Sequence, residues 1–325
     1  MTIPVRDSIM KPHRAILVYI LSTFLLSVGS DFSSLAATAD QLAPLVTIQS
    51  FPVGAGPSGL AFDGANIWTA NISSNNVTKL RASDGTLLGN FSVGFAPSYV
   101  TFDGTSIWTS DTSSGTVTKL RAIDGAYEGT FRVGSAPLGS AYDGTNIWVA
   151  NLADNTISEL RASDGTVLGT FLAGSAPYGV TFDGANIWVG SDNTLVGKLR
   201  SSDGKLIGTV EPGGVEHRGF AFDGSKMWIA NLSNSTITAV LARNGEIQGT
   251  FPVGTGPWGA AFDGENIWIA NFFDSSVTVL RARNGAFFNS FPVESAPKVI
   301  IYDGSSIWVA CSGSNTVNKI TRSSP

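Results

Sequence analysis

The chain of 325 residues contains one cysteine, Cys311, and two histidines, and only 14% of its residues are charged. A single cysteine excludes an internal disulfide bond and any zinc site built from several cysteines. No run of basic residues occurs after residue 39, which argues against a nucleic acid as partner. Long apolar periods of the helical kind are also absent. The low charge and the 37 glycines are instead typical of many short strands joined by tight turns.

The first 39 residues have the pattern of an export signal. A basic start with Arg6, Lys11 and Arg14 precedes an apolar run from Ala15 to Leu26, and Ala37-Thr38-Ala39 matches a cleavage site. The apolar run is shorter than the roughly 17–25 residues that a membrane-spanning helix needs. We therefore expect residues 1–39 to be a cleaved signal peptide. The mature protein would be secreted or periplasmic, without stable membrane insertion; an uncleaved anchor is the alternative.

An internal repeat indicates the fold class. The triplet aromatic-Asp-Gly occurs seven times at a constant spacing of forty residues, with its aspartates at Asp63, Asp103, Asp143, Asp183, Asp223, Asp263 and Asp303. A tryptophan follows five positions after each aspartate, at Trp68, Trp108, Trp148, Trp188, Trp228, Trp268 and Trp308. Repeats of about this length are typical of β-propellers, in which each repeat supplies one four-stranded blade.

Each repeat predicts four strands, which in the first copy are Gly59–Phe62, Ile67–Asn71, Val77–Ala82 and Thr86–Val93. The segment Val46–Val53 matches a fourth strand that no other strand precedes, and the last repeat stops after a third strand, Thr316–Thr321. The N-terminal segment can thus supply the fourth strand that the last repeat lacks. We predict an all-β, seven-bladed β-propeller over residues 40–325, with four antiparallel strands per blade and the last blade closed by the N-terminal strand. We expect a monomer.

Features common to all seven repeats are predicted to serve the scaffold. Each tryptophan would bury roughly 150–250 Å² between neighbouring sheets, and each Asp-Gly carboxylate would stabilise a turn. Neither a cofactor nor a metal ion is predicted. Cys311 replaces the asparagine that ends the second strand in four other repeats. It is predicted to be a half-buried free thiol, with an intermolecular disulfide as the alternative.

The segment Ile147–Asn151, followed by Asn155-Thr156-Ile157, resembles the YVTN/NHL-type β-propeller repeats of exported bacterial proteins. The resemblance extends over about residues 45–322. The streptogramin (virginiamycin B) lyases are similar in architecture. This resemblance implies a propeller that is either a binding protein or a lyase. It also implies that a lyase would use a histidine with metal-assisted acid–base chemistry, and His217 is the one histidine after residue 39.

Positions that differ among the repeats are the candidates for function. The loop before each first strand usually ends in Pro-x-Gly, and its x position is expected near the mouth of the central channel. These positions hold Ser58, Ser98, Leu138, Tyr178, Arg218, Trp258 and Lys298. The predicted ligand-binding residues are Tyr178, Arg218, Trp258, Phe272, Phe273 and Lys298. Aromatic rings flanked by cations suit a flat or sugar-like ligand with negative charge; the alternative is that these side chains only fill gaps between blades.

The segment Val210–Phe220 contains the densest cluster of titratable groups in the chain. Within it, Glu216 and His217 are the candidates for an acid–base pair, although neighbours on an extended segment point in opposite directions. A solvated loop with an unrelated histidine is the alternative. The sequence therefore favours a non-enzymatic binding or scaffold module that recognises a protein, a glycan or a small anionic ligand. A lyase or hydrolase similar to the streptogramin lyases, with its site near His217, is the alternative.

We predict that a bacterial host exporting the full chain releases a protein whose first residue is Asp40, because signal peptidase cuts after small residues such as those at 37–39. Intact-mass measurement of the extracellular or periplasmic fraction checks this. A protein that stays in the membrane fraction with residues 1–39 attached would contradict the prediction and favour the anchor.

Overall fold

The computed structural model of the protein describes residues 46–322, so the predicted signal peptide lies outside the described residues. Regular structure within that range is β-strand throughout, apart from one turn of 3-10 helix at Leu232–Asn234. No helix between residues 46 and 322 is long and apolar enough to cross a membrane. The strands form seven separate four-stranded antiparallel sheets. The predicted seven-bladed β-propeller is therefore confirmed.

The 28 strands follow one another blade by blade. The first, β1 (Val46–Pro52), belongs to the last blade. Blade 1 contains β2 (Pro57–Phe62), β3 (Asn66–Asn71), β4 (Asn76–Arg81) and β5 (Leu87–Ser92), and blade 2 contains β6 (Pro97–Phe102), β7 (Ser106–Asp111), β8 (Thr116–Arg121) and β9 (Tyr127–Arg132); blade 3 contains β10 (Pro137–Tyr142), β11 (Asn146–Asn151), β12 (Thr156–Arg161) and β13 (Val167–Leu172). Blade 4 contains β14 (Pro177–Phe182), β15 (Asn186–Ser191), β16 (Val196–Arg200) and β17 (Leu206–Val210), and blade 5 contains β18 (His217–Phe222), β19 (Lys226–Asn231), β20 (Thr236–Leu241) and β21 (Ile247–Pro252). Blade 6 contains β22 (Pro257–Phe262), β23 (Asn266–Asn271), β24 (Ser276–Arg281) and β25 (Phe287–Pro292), and blade 7 contains β26 (Pro297–Tyr302), β27 (Ser306–Cys311) and β28 (Thr316–Arg322) in addition to β1.

The ring closes through the predicted pairing of the two ends of the chain. Strand β1 runs antiparallel to β28, in a register that extends from Val46 opposite Arg322 to Pro52 opposite Thr316. Blade 7 therefore has the order β1-β28-β27-β26, with the N-terminal strand outermost. The first strands of neighbouring blades pack against each other around the centre of the ring. Because the ring is closed, each blade packs against a neighbouring blade on both of its faces.

The shared aspartates and tryptophans are joined by hydrogen bonds. In blade 1, Asp63 Oδ1 accepts the amides of Ala65 and Asn66 at 2.9 and 2.7 Å, and Asp63 Oδ2 accepts Trp68 Nε1 at 2.8 Å. The Trp–Asp bond recurs in the other six blades at 2.6–2.9 Å. All seven indoles are at most 1% exposed. Each carboxylate thus holds the turn and satisfies the one polar atom of a core indole, as a scaffold role predicts.

Lysines on third strands connect one blade to the next. Lys79 Nζ lies 4.8 Å from the ring centroid of Trp68 and donates a hydrogen bond to the carbonyl of Ala122 in blade 2, at 2.7 Å. Lys319 of blade 7 makes the same bond to Ala82 of blade 1, also at 2.7 Å. An ammonium that is stacked on an indole and bonded to carbonyls keeps its charge satisfied although it is largely buried. These lysines therefore link neighbouring blades through hydrogen bonds.

Cys311 is completely buried and not half-buried as predicted. It ends β27 at the inward-facing position that asparagine occupies in other blades, and its Sγ lies 3.5 Å from Asn318 Oδ1. Burial raises the pKa of the thiol to about 12. A protonated, inaccessible thiol is unreactive, so this residue belongs to the core.

We predict that Asp143→Asn destabilises the propeller by about 1–3 kcal/mol, because an amide nitrogen in place of Oδ2 cannot accept the Trp148 Nε1 hydrogen bond and leaves that buried donor unpaired. Denaturant unfolding measures the change. Asp164→Asn is the matched control, since this aspartate lies on an exposed turn and pairs with Arg161 at the surface. If the two substitutions lowered the free energy of unfolding equally, the Trp–Asp hydrogen bond would contribute no more to stability than the exposed ion pair.

Candidate functional site

A β-bulge at the start of each first strand places the x-position side chain. In blade 6 the pairing of β22 with β23 shifts register between Pro257 and Gly259. Equivalent shifts occur at the same place in the other blades. A bulge removes one residue from the regular ladder and turns its side chain. The side chain of Trp258, like those at the other x positions, therefore does not follow the alternation between the two sides of the sheet that the rest of the strand shows.

Glycines behind the x positions let the blades approach closely at this level. A Cβ on Gly179 would lie 2.3 Å from the carbonyl oxygen of Arg218, and one on Gly219 would lie 2.4 Å from that of Trp258. A side chain at either position would collide with backbone, which cannot move aside. The close contact brings the x-position residues of blades 4 to 7 within reach of one another.

Arg218 is the centre of the first half of the site. Its guanidinium carbon lies 3.8 Å from the ring centroid of Tyr178 and 5.5 Å from that of Trp258. Its two terminal nitrogens bond Asp192 Oδ1 at 2.9 Å and Glu216 Oε1 at 2.7 Å. The arginine side chain is only 9% exposed. The planar guanidinium thus stacks on aromatic rings while each terminal nitrogen pairs with a different carboxylate.

Lys298 and Phe272 form the second half of the site, around Trp258. Lys298 Nζ lies 5.3 Å from the Trp258 ring and 5.8 Å from the Phe272 ring, and these two rings are 5.1 Å apart. Phe273 packs edge-on against Phe272 but is 63% exposed. Among residues 46–322 no carboxylate pairs with Lys298. Desolvation by the surrounding rings lowers the pKa of the Lys298 ammonium.

The six predicted ligand-binding residues are therefore brought together. The other three x positions are not part of this cluster: Ser58, Ser98 and Leu138 are buried at 5–7% exposure. Ser58 Oγ, for example, donates to the carbonyl of Ser98 in the next blade. In blades 1 to 3 the x position is thus buried, and the x positions that contribute to the cluster are those of blades 4 to 7.

Two residues of the cluster were not predicted, Tyr99 and Asp192. Tyr99 lies edge-on to Tyr178 at 6.3 Å, so aromatic rings continue from blade 2 through Tyr178 to Trp258, which is 6.0 Å further on. Burial raises the pKa of both phenols. Tyr99 occupies the first-strand position where five other repeats have glycine, and Asp192 occupies one where neighbouring repeats have leucine. Those departures from the repeat were the available signals.

Glu216 and His217 do not form an acid–base pair. The Glu216 carboxylate bonds Arg218, whereas the His217 ring is completely buried and bonds Asn231 Oδ1 through Nδ1 at 3.0 Å. The Asn231 amide nitrogen already donates to Thr236 and Thr238, so its oxygen must accept, and Nδ1 carries the proton. The Nε2 atom has no partner with hydrogen-bond geometry. His217 stands where the other six repeats have proline, which explains its inward position.

Burial lowers the pKa of His217, and the Asn231 hydrogen bond and the Thr194 backbone oppose this shift only in part. The ring is therefore a neutral core group. Within the described part of the chain, no three His, Cys, Asp or Glu side chains come together in a way that could hold a metal ion.

A cleft of about 590 Å³ lies on the opposite face of the ring, between blades 5 and 6. Its lining includes Lys226, Glu265, Arg281 and Arg283. Most of these charges are already satisfied, because Lys226 bonds the carbonyl of Ala282 and Arg281 bonds Glu265 at 2.6 Å. In blade 5 Lys226 takes the role of the third-strand lysine, because Ala239 stands at that position and Lys226 Nζ lies 5.0 Å from the Trp228 ring centroid. The charges of the cleft thus serve the scaffold, and the channel-mouth cluster remains the stronger candidate.

Solved structures with this architecture include enzymes. A streptogramin B lyase has a TM-score of 0.72 at 19% identity, over 86% of this chain and 98% of that one. The virginiamycin B lyase from Staphylococcus aureus gives 0.72 at 19%, over 85% and 99%. The Kuenenia stuttgartiensis hydrazine synthase gives 0.74 at 16%, over 90% and 99%. No protein-family model and no curated protein matches the chain. The predicted similarity to the streptogramin lyases is confirmed, and at these identities it establishes the fold alone.

We predict that the propeller loses stability as the pH falls from about 7.5 to about 5.5, because the unfolded chain protonates His217 below about pH 6.5 while the folded state resists protonation. The loss reaches at most about 1.4 kcal/mol per pH unit for one proton. Denaturant unfolding at several pH values measures it. His217→Pro, the residue of the other six repeats, is expected to flatten the curve in this range. An equally steep curve for the variant would rule out His217 as the cause.

Proposed function

We propose that the protein is a non-enzymatic recognition module that binds its ligand at the mouth of the central channel, on the face formed by the loops before the first strands and after the second strands. The ligand is a protein, a glycan or a small anionic molecule. One observation carries this proposal: two cations lie close to the Trp258 ring, Arg218 at 5.5 Å and Lys298 at 5.3 Å from its centroid.

The character of these residues supports recognition. Tyr178, Trp258 and Phe272 are only half-buried, so their rings keep surface that a ligand can cover. Clusters of aromatic rings and arginine dominate the energy of many binding sites, because they bury much area and lose little conformational freedom. Core tryptophans of the same chain are at most 1% exposed. The contrast separates Trp258 from the seven indoles that belong to the scaffold.

The proposal includes export. Residues 1–39 have the order of basic start, apolar run and small-residue cleavage site that signal peptides share. Because its one cysteine cannot form an internal disulfide bond, the exported protein would depend on ring closure and on its seven buried indoles for stability.

A lyase activity is the alternative that the similarity to streptogramin lyases raises. It would need an acid or base that reaches a substrate at the channel mouth. His217 is completely buried and Glu216 is bonded to Arg218, and these positions favour binding over catalysis. Incubation of the protein with a streptogramin B antibiotic, followed by mass spectrometry, tests the alternative directly. Conversion of the antibiotic into a new product would show that the protein is an enzyme and contradict the binding module.

We predict that Trp258→Ala removes the ligand that co-purifies with the natively produced protein, because the central ring of the site is lost. Native mass spectrometry of wild type and variant compares the bound species. Tyr127→Ala is the control, since Tyr127 is 66% exposed on the outer edge of blade 2. A ligand retained equally by all three proteins would place the binding site elsewhere.

A further inference from the structure

The channel mouth contains two copies of one three-residue arrangement. Each copy consists of an aromatic x-position residue of one blade, the first residue of that blade's loop after the second strand, and the cationic x-position residue of the next blade. The copy across blades 4 and 5 is Tyr178, Asp192 and Arg218; the copy across blades 6 and 7 is Trp258, Phe272 and Lys298.

Backbone hydrogen bonds show that Asp192 and Phe272 occupy equivalent places. The amide of Asp192 donates to the carbonyl of Ala176 at 3.2 Å, and the amide of Phe272 donates to the carbonyl of Gly256 at 2.8 Å. Ala176 and Gly256 both have a left-handed backbone, with φ of 46° and 69°, immediately before the first-strand proline. Asp192 and Phe272 thus occupy equivalent places, although the loop of blade 4 is one residue shorter than that of blade 6.

The difference lies in charge. Asp192 supplies a carboxylate to Arg218 within its own copy, and Glu216 supplies a second. Phe272 supplies a ring to Lys298 and no negative charge. The Lys298 ammonium is partly desolvated by the rings and has no carboxylate partner among residues 46–322, so an anion can pair with it. The second copy therefore lacks the one group that the first copy contains, a carboxylate next to its cation.

We propose that the ligand is a small organic carboxylate with a planar body, whose carboxylate pairs with the Lys298 ammonium and whose body lies against Trp258 and Phe272. This inference rests on the proposed function and narrows it to one of the three ligand classes. The ligand's carboxylate takes the role that Asp192 has in the neighbouring copy. The Phe272 ring, which stands where the neighbouring copy has Asp192, gives the planar body a contact surface together with Trp258.

The charges around the site limit the ligand to one negative charge. Arg218 with its two carboxylates has a net charge of −1, and Lys298 brings the cluster to zero. A dianion would bring excess negative charge to a cluster that contains Asp192 and Glu216, and Lys298 is the one cation of that cluster without a carboxylate partner. A monocarboxylate is the anion that this balance favours.

The test uses 4-fluorobenzoate and its neutral analogue 4-fluorobenzamide as probes, with binding followed through the fluorine NMR signal of each. We expect the wild-type protein to bind the carboxylate at least about tenfold more tightly than the amide, as one charge-assisted hydrogen bond gives. Equal affinity for the two probes, or no detectable binding of the carboxylate, would overturn the inference.

Phe272→Asp is the decisive variant, because it gives the second copy the carboxylate of the first. It is expected to weaken 4-fluorobenzoate binding at least about tenfold. Lys298→Met, which keeps the length of the side chain without its charge, is expected to weaken it equally and to leave the amide unaffected. Lys205→Met is the matched control, since Lys205 is exposed beside a turn on the opposite face. Unchanged carboxylate binding in Lys298→Met would overturn the inference even if Phe272→Asp fails to fold.

Failure of this inference is distinguishable from failure of the proposed function. If neither probe depends on Lys298 but Trp258→Ala still removes a co-purifying protein or glycan, the carboxylate inference is wrong and the recognition site stands. If Trp258→Ala changes neither the co-purifying species nor the probe binding, both are wrong.

Discussion

The hydrogen bond from the tryptophan Nε1 to the Asp-Gly carboxylate is the interaction on which the structure depends. It lets a large apolar indole enter the core of every blade without leaving its N–H unpaired. The same carboxylate holds the turn through two backbone amides, as Asp63 does with Ala65 and Asn66. One side chain thereby couples local turn geometry to packing between sheets. A lysine over the indole, such as Lys79, then extends the coupling to the next blade.

Because this interaction is repeated seven times, the scaffold leaves the loops at the channel mouth free to differ. Rigid strands place those loops through a bulge at each first strand and through glycines such as Gly179 and Gly219, where neighbouring backbones nearly touch. Side chains that are forty residues apart in sequence consequently become neighbours. The site owes its geometry to the scaffold and its chemistry to the departures from the repeat.

Departures from the repeat have two physical outcomes in this chain. At Arg218 and Lys298 a charged side chain enters an aromatic environment near the channel, which favours recognition of a charged ligand. At His217 and Cys311 a polar side chain replaces a residue that faces the core and is completely buried there. The burial that lowers the pKa of the histidine and raises that of the thiol keeps both groups in their neutral forms. Differences among the repeats therefore identify candidate functional residues, but they do not show whether a residue lies at the surface or in the core.

The amino-acid sequence was enough to establish the number of blades, the strands within each blade and the closure of the ring, because a forty-residue repeat and complementary ends permit few other folds. It also identified the aromatic and cationic residues of blades 4 to 7, since each breaks the repeat. Which of these residues contact one another, and which further residues join them, became visible in the folded structure. Asp192 and Tyr99 reach the cluster from other loops and blades, and Glu216 turns toward Arg218 and away from His217. These pairings depend on distances between blades, which a linear repeat does not contain.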